Sequence, residues 1–113
     1  MFFHNDKQDY QEILPGIKVK TLVYGEKTLL SEFVMTKDSQ LPLHSHPEEQ
    51  TGYLVSGCIR LHSNGEAHEM HPGDSWCFAG DLEHRAEILE DSVAIEVFAP
   101  VRESYLQYHP QKT

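Results

Sequence analysis

The first groups in this 113-residue chain whose types and spacing could do chemistry are His44 and His46, one residue apart. In an extended segment, side chains alternate faces with period two, so both imidazoles point the same way. Imidazole is the commonest side-chain metal ligand, and two on one face can grip a single ion. Gln50 can add a carbonyl oxygen once Pro47 has turned the chain. A third imidazole, His84, closes the stretch that starts at Pro72, where a turn, a short strand and a second turn precede it. The chain has eight histidines, and a lone one is more often a surface or hydrogen-bonded residue than a ligand. His4, His62, His68, His71 and His109 are read in that way. His68 and His71, three residues apart, would fall on opposite faces of a strand.

The elements that must position these groups read as strands. Residues 1–12 are polar and without periodicity, a flexible or edge-pairing arm. A turn at Ile13-Leu-Pro-Gly16 precedes a half-buried strand in which Ile17, Val19, Thr21 and Val23 alternate with Lys18 and Lys20. Thr28–Thr36 is a run rich in Leu, Phe and Val, and Leu41–Leu43 leads extended into His44. Asn64-Gly65 is the strongest hairpin signal, because a type I′ turn needs positive φ at both central positions. Ser75–Ala79 reads as a further strand, and Ala86–Leu89 with Val93–Ala99 as a last hairpin across Glu90-Asp-Ser92. Pro100 stops that ladder, and Glu103–Tyr108 is a short helix or turn. Many short strands with frequent turns and no convincing helix mean an all-β sandwich or barrel.

Composition narrows the partners. A net charge of −9 argues against a nucleic-acid backbone, which demands basic patches. No apolar run approaches the roughly 20 residues of a membrane helix, so no membrane partner is expected. The N-terminus lacks the basic start and apolar core of a secretory signal, which makes the cytoplasm the expected location. Cys58 and Cys77 lie on predicted strands without CxxC spacing and are expected to be reduced, small buried hydrophobes.

The histidine segments resemble the two motifs of the cupin family. The first motif is a glycine, five residues, His-x-His, three or four residues, Glu, six residues and Gly; here Asp38, His44, His46, Gln50 and Gly57 hold those places. The second places a glycine before Pro-x-Gly, two residues, His, three residues and Asn. It reads Gly73, Ala79-Gly80-Asp81, His84 and Ile88 here. Both histidine spacings match. Asp38 and Asp81 replace glycines, and aspartate tolerates a left-handed turn. The resemblance implies one cupin domain over residues 1–113, folded as a double-stranded β-helix or jelly-roll barrel. It also implies one divalent transition metal per chain (nickel, zinc, iron or manganese, undistinguished) on His44, His46, Gln50 and His84, and a homodimer.

Three neutral imidazoles and a neutral amide leave a divalent ion's double charge uncompensated. Such a site favours anionic or chelating oxygen ligands and acts as a Lewis acid. The segment Glu96-Val-Phe98-Ala-Pro100-Val-Arg102 resembles the Asp-x-Phe-x-Pro-x-Arg tail of the uronate-ketonising, KdgF-type cupins of pectin and alginate degradation. That group uses the ligand set His, His, Gln, His. The likeness implies Glu96 in the catalytic aspartate's place, Phe98 and Arg102 as the pocket aromatic and arginine, Tyr53 lining the site, and a sugar-acid substrate. If Val93, Ile95 and Val97 faced the core instead, Glu96 would be an ordinary outer carboxylate. A redox cupin such as a dioxygenase, and a non-catalytic metal- or sugar-binding cupin, are the competing functions. Gln50 in place of the usual glutamate ligand argues against the redox one.

Overall fold

In the computed structural model, which describes residues 1–111, ten strands form two antiparallel sheets. They are β1 (Gln11–Leu14), β2 (Ile17–Tyr24), β3 (Leu29–Met35), β4 (Gln40–His44), β5 (Glu49–Ser56), β6 (Ile59–Ser63), β7 (Glu66–Met70), β8 (Ser75–Phe78), β9 (His84–Ile88) and β10 (Ser92–Ala99). The six-stranded sheet runs β1-β2-β3-β10-β5-β8 and the four-stranded sheet β4-β9-β6-β7. This is the all-β sandwich expected from the turn spacing, and the jelly roll that the cupin resemblance implies. A 3-10 helix over Glu103–Tyr108 follows β10 and packs on β2, where Thr21 Oγ1 donates to the Tyr105 carbonyl at 2.5 Å. Among the described residues no helix is long and apolar enough to cross a membrane.

Alternation decides what faces the core. Along β3, Leu29, Ser31, Phe33 and Met35 are buried, and Leu54, Ile59, Leu61, Phe78, Ala86 and Ile88 close the core from the other strands. At about 25 cal/mol per Å² of apolar surface, such burial dominates the driving force. The hairpin at Asn64-Gly65 forms as expected, with φ of 53° and 76° at its two central residues and Ser63 paired to Glu66.

Several sequence expectations are corrected. Residues of β9 and β10 do not pair with each other: β9 lies between β4 and β6, β10 between β3 and β5, so Leu89–Asp91 crosses from one sheet to the other. Along β10 the buried residues are Ser92, Ala94, Glu96 and Phe98, the opposite phase from a Val93-Ile95-Val97 core face. Lys20 is fully buried rather than solvent-facing, because the N-terminal arm covers it. Its ammonium donates to Asn5 Oδ1 at 2.8 Å and the Asp6 carbonyl at 3.0 Å, and sits 4.1 Å from the Tyr10 ring centroid. His109 is likewise buried, against the rings of Phe3 and Tyr24. Cys58 lies in the turn between β5 and β6 and is buried; Cys77 is exposed, and both are free thiols.

Candidate metal centre and pocket

The two sheets bring the three histidines together by register. His44, the last residue of β4, is the ladder partner of His84, the first of β9, and their ring centroids are 4.3 Å apart. His46 follows beyond the strand end, with its ring 5.8 Å from His44 and 5.2 Å from His84. The loop that carries it is pinned by the Asp81 N–H, which donates to the His46 carbonyl at 2.7 Å. Asp81 and Asp38 adopt φ of 65° and 72°, the left-handed conformation that the glycines of the motif would otherwise supply. One ring nitrogen from each histidine lies within 4.8 Å of those of the other two.

The hydrogen bonds fix what those rings offer. The Nδ1 atoms of His44, His46 and His84 lie 2.7, 3.0 and 2.8 Å from the carbonyls of Pro42, Glu48 and Leu82. A carbonyl only accepts, so each Nδ1 carries the proton and each Nε2 presents a lone pair. His84 Nε2 is buried with no hydrogen-bond partner among the described residues. His46 Nε2 lies 2.9 Å from Gln50 Oε1, which is also an acceptor. Burial holds the His84 imidazole down to about 4, and burial followed by the Arg102 charge lowers His46, so neither supplies the missing proton near neutrality. Converging lone pairs with nothing to donate to them fit a bound cation, and the fixed Nδ1–H bonds are the outer support metal-binding histidines ordinarily have.

Gln50 and the β10 tail meet behind this cluster. Rows of inward side chains run across β10, β5 and β8: Phe98, Gln50 and Phe78 in one, Glu96, Gly52 and Trp76 in the next. Gly52, having no side chain, leaves the middle of its row open, and a Cβ there would overlap the Trp76 indole. Across the gap Trp76 Nε1 donates to Glu96 Oε1 at 3.2 Å, while Gln50 Nε2 donates to Glu96 Oε2 at 2.8 Å. Glu96 is therefore inside the sandwich, where burial raises its carboxyl to about 8 against the opposing pull of those two donors. Arg102 lies over Tyr105 at 4.1 Å and Phe98 at 5.0 Å, with its Nε 4.0 Å from Glu48. His44, Gln50, His84, Glu96, Phe98 and Arg102 all line one cavity. Tyr53 does not: it is half-exposed on the outer face of β5, out of phase with Gln50 and Gly52. Trp76, to which the sequence assigns no role, takes its place, and an odd spacing from Gln50 would have excluded Tyr53.

Comparison with known proteins gives the family and the fold. A family profile described as the cupin domain matches residues 31–111. The chain belongs to the cupin family. This cupin is similar to the structure of KdgF from Halomonas sp., at 30% identity over 92% of this chain and 98% of that one, with a TM-score of 0.87. An RmlC-like cupin from Shewanella frigidimarina shares 22% identity over 92% of this chain and 94% of that one, at a TM-score of 0.86. The DMSP lyase DddQ from Ruegeria pomeroyi shares the fold at 14% identity, covering 74% of this chain and 46% of that one, with a TM-score of 0.69. No curated protein matches.

Proposed function

We propose that this cupin is a metal-dependent enzyme that converts 4,5-unsaturated uronates to linear 5-keto sugar acids. The observation that carries the reading is Glu96: a buried carboxyl, raised to about 8, in the same cavity as His44, His84 and Arg102. A strongly perturbed group beside a cluster of ligand-type side chains marks a working site. The sequence likeness of the Glu96–Arg102 tail to the uronate-ketonising cupins and the similarity to KdgF from Halomonas sp. support the same substrate class.

His44, His46, His84 and Gln50 Oε1 would hold one divalent ion of the nickel, zinc, iron or manganese group. Bound there, it would supply Lewis acidity toward a carboxylate and its neighbouring enol oxygen. Arg102, 4.1 Å above the Tyr105 ring centroid, can clamp the substrate carboxylate through two parallel N–H donors. The 5-keto product forms when the C5 enol loses its O–H proton and C4 gains one. Glu96, poised near neutrality, carries that proton to C4 and is recharged from the enol hydroxyl. Phe98 and Trp76 wall the cavity and keep water from the carboxyl. Glu96 is a methylene longer than the aspartate of the related tail, and Trp76 and Gln50 fix where its oxygens sit.

The test is the loss of the conjugated enol acid's ultraviolet absorbance, measured against the spontaneous rate in the same buffer. The metal-loaded protein should accelerate it. Glu96→Gln should retain the metal and lose about 10²–10⁴-fold in rate, and Arg102→Ala should mainly raise KM. A metal-replete wild type no faster than buffer, with galacturonate- and alginate-derived substrates alike, would reject ketonisation and leave the redox and non-catalytic readings.

A further inference from the structure

At the end of the four-stranded sheet remote from the imidazole cluster, the β6–β7 hairpin gathers side chains of three different donor classes. The hairpin register pairs Ile59 with Met70, so one step outward Cys58 stands opposite His71. Glu69, two residues before His71, shares its face by the period-two alternation. A thiol sulfur, a carboxylate oxygen and an imidazole nitrogen from these three residues all lie within 4.8 Å of one another. His71 Nε2 and Glu69 Oε2 are 3.2 Å apart, close to the edge of a tetrahedron whose bonds are about 2.0 Å long. The other carboxylate oxygen, Oε1, faces Arg60 at 3.7 Å, so an ion would replace the His71 contact at Oε2 and leave the Arg60 ion pair in place.

Two of the three donors are set in place by their backbones. The Cys58 carbonyl accepts from the N–H groups of Leu89 and Glu90 at 2.9 and 3.1 Å, and its own N–H donates to Ser92 Oγ at 3.0 Å. The His71 N–H donates to Asp74 Oδ2 at 2.8 Å. The cluster is separate from the first centre: His84 pairs with Ser63, five residues along β6 from Cys58, or about 17 Å at 3.3 Å per residue.

We propose that Cys58, Glu69 and His71 form a second metal site, which takes a thiophilic divalent ion of the zinc class. Thiolate, carboxylate and imidazole are a donor set that zinc accepts in tetrahedral coordination. On binding, Cys58 Sγ gives its proton to solvent, while Glu69 enters as carboxylate and His71 as neutral imidazole. The two negative charges neutralise the ion, in contrast to the uncharged donors at His44, His46 and His84. Glu69 and His71 are about half exposed, so water completes the fourth position. The ion would tie β7, the edge strand of its sheet, to the turn that begins β6.

Cobalt(II) is a suitable probe, because thiolate coordination gives it a charge-transfer band in the near ultraviolet that imidazole and amide donors do not. Metal-free protein with both thiols reduced should develop that band on titration with cobalt, saturating at one thiolate-bound ion per chain. Cys58→Ser should abolish the band, whereas Cys77→Ser and His46→Ala should leave it. His71→Ala and Glu69→Gln, at exposed positions that tolerate change, should weaken the cobalt affinity read at the band by at least about tenfold. Absence of the band in cobalt excess, its survival in Cys58→Ser, or its loss in Cys77→Ser overturns the site. So does an unchanged affinity in both His71→Ala and Glu69→Gln.

Discussion

Glu96 and His84 pull the stability of the metal-free protein in opposite directions as pH changes. The Glu96 carboxyl rises from 4.5 to about 8, so between those values the folded chain holds a proton that the unfolded chain has released. Stability therefore falls as pH climbs through that window. His84 drops from 6.5 to about 4, so there the unfolded chain binds the extra proton and stability rises with pH. The two effects oppose each other up to pH 6.5; above it Glu96 acts alone. Metal-free protein should lose about 2 kcal/mol between pH 6.5 and 8, at 1.36 kcal/mol per pKa unit. In thermal melts Glu96→Gln should remove that loss. A wild type whose melting temperature stays flat across the window would mean that Glu96 is already ionised in the fold. The neighbouring histidine cluster was readable as a spacing, but Trp76 was not. Its contact with Glu96 passes over Gly52 on an intervening strand, and no local pattern encodes a partner two strands away.

Gly52 matters at the level of the strand, since it leaves the space in the Glu96-Gly52-Trp76 row that the indole fills. Gly52→Ala places a methyl group where the Trp76 ring lies, and overpacking of this kind costs about 1–3 kcal/mol. Trp76 is the sole tryptophan, so its emission reports the displacement directly. Denaturant melts should show the loss together with a shifted emission maximum. Gly25→Ala, where a Cβ meets nothing within 4 Å, should change stability by no more than about 0.5 kcal/mol. An unshifted emission in Gly52→Ala would mean that the indole does not depend on this gap. Strand existence was well marked by alternation, yet strand partnership was not. The short Glu90-Asp-Ser92 link suggested a hairpin, whereas Ser92 Oγ, accepting from the Cys58 N–H, fixes the crossing between sheets. A three-residue connection is compatible with both, and only the two opposed core faces choose.

Across the whole molecule, an all-β sandwich was legible because turn signals recur at short intervals and strands such as β3 and β10 alternate, while the jelly roll itself rested on the resemblance to the cupins. Lys20 and His109 were not legible, because the arm that covers Lys20 and lays Phe3 against His109 carries no periodicity. The global charge has its own consequence for an anionic sugar acid. Nine net negative charges at roughly 17 Å, a radius in keeping with the 13.3 Å radius of gyration, repel a monoanion by about 2 kcal/mol in unscreened water. Arg102 attracts the same carboxylate only at contact range, where salt screens far less than it does across the molecule. If the uronate reading holds, KM should fall about two- to fivefold as ionic strength rises from about 10 to 150 mM, where the Debye length shrinks from about 30 to 8 Å. Steady-state rates of metal-loaded protein at fixed pH, with sodium chloride as the only variable, check this. A KM that climbs with salt would show that the local positive field of the pocket governs encounter, not the acidic surface around it.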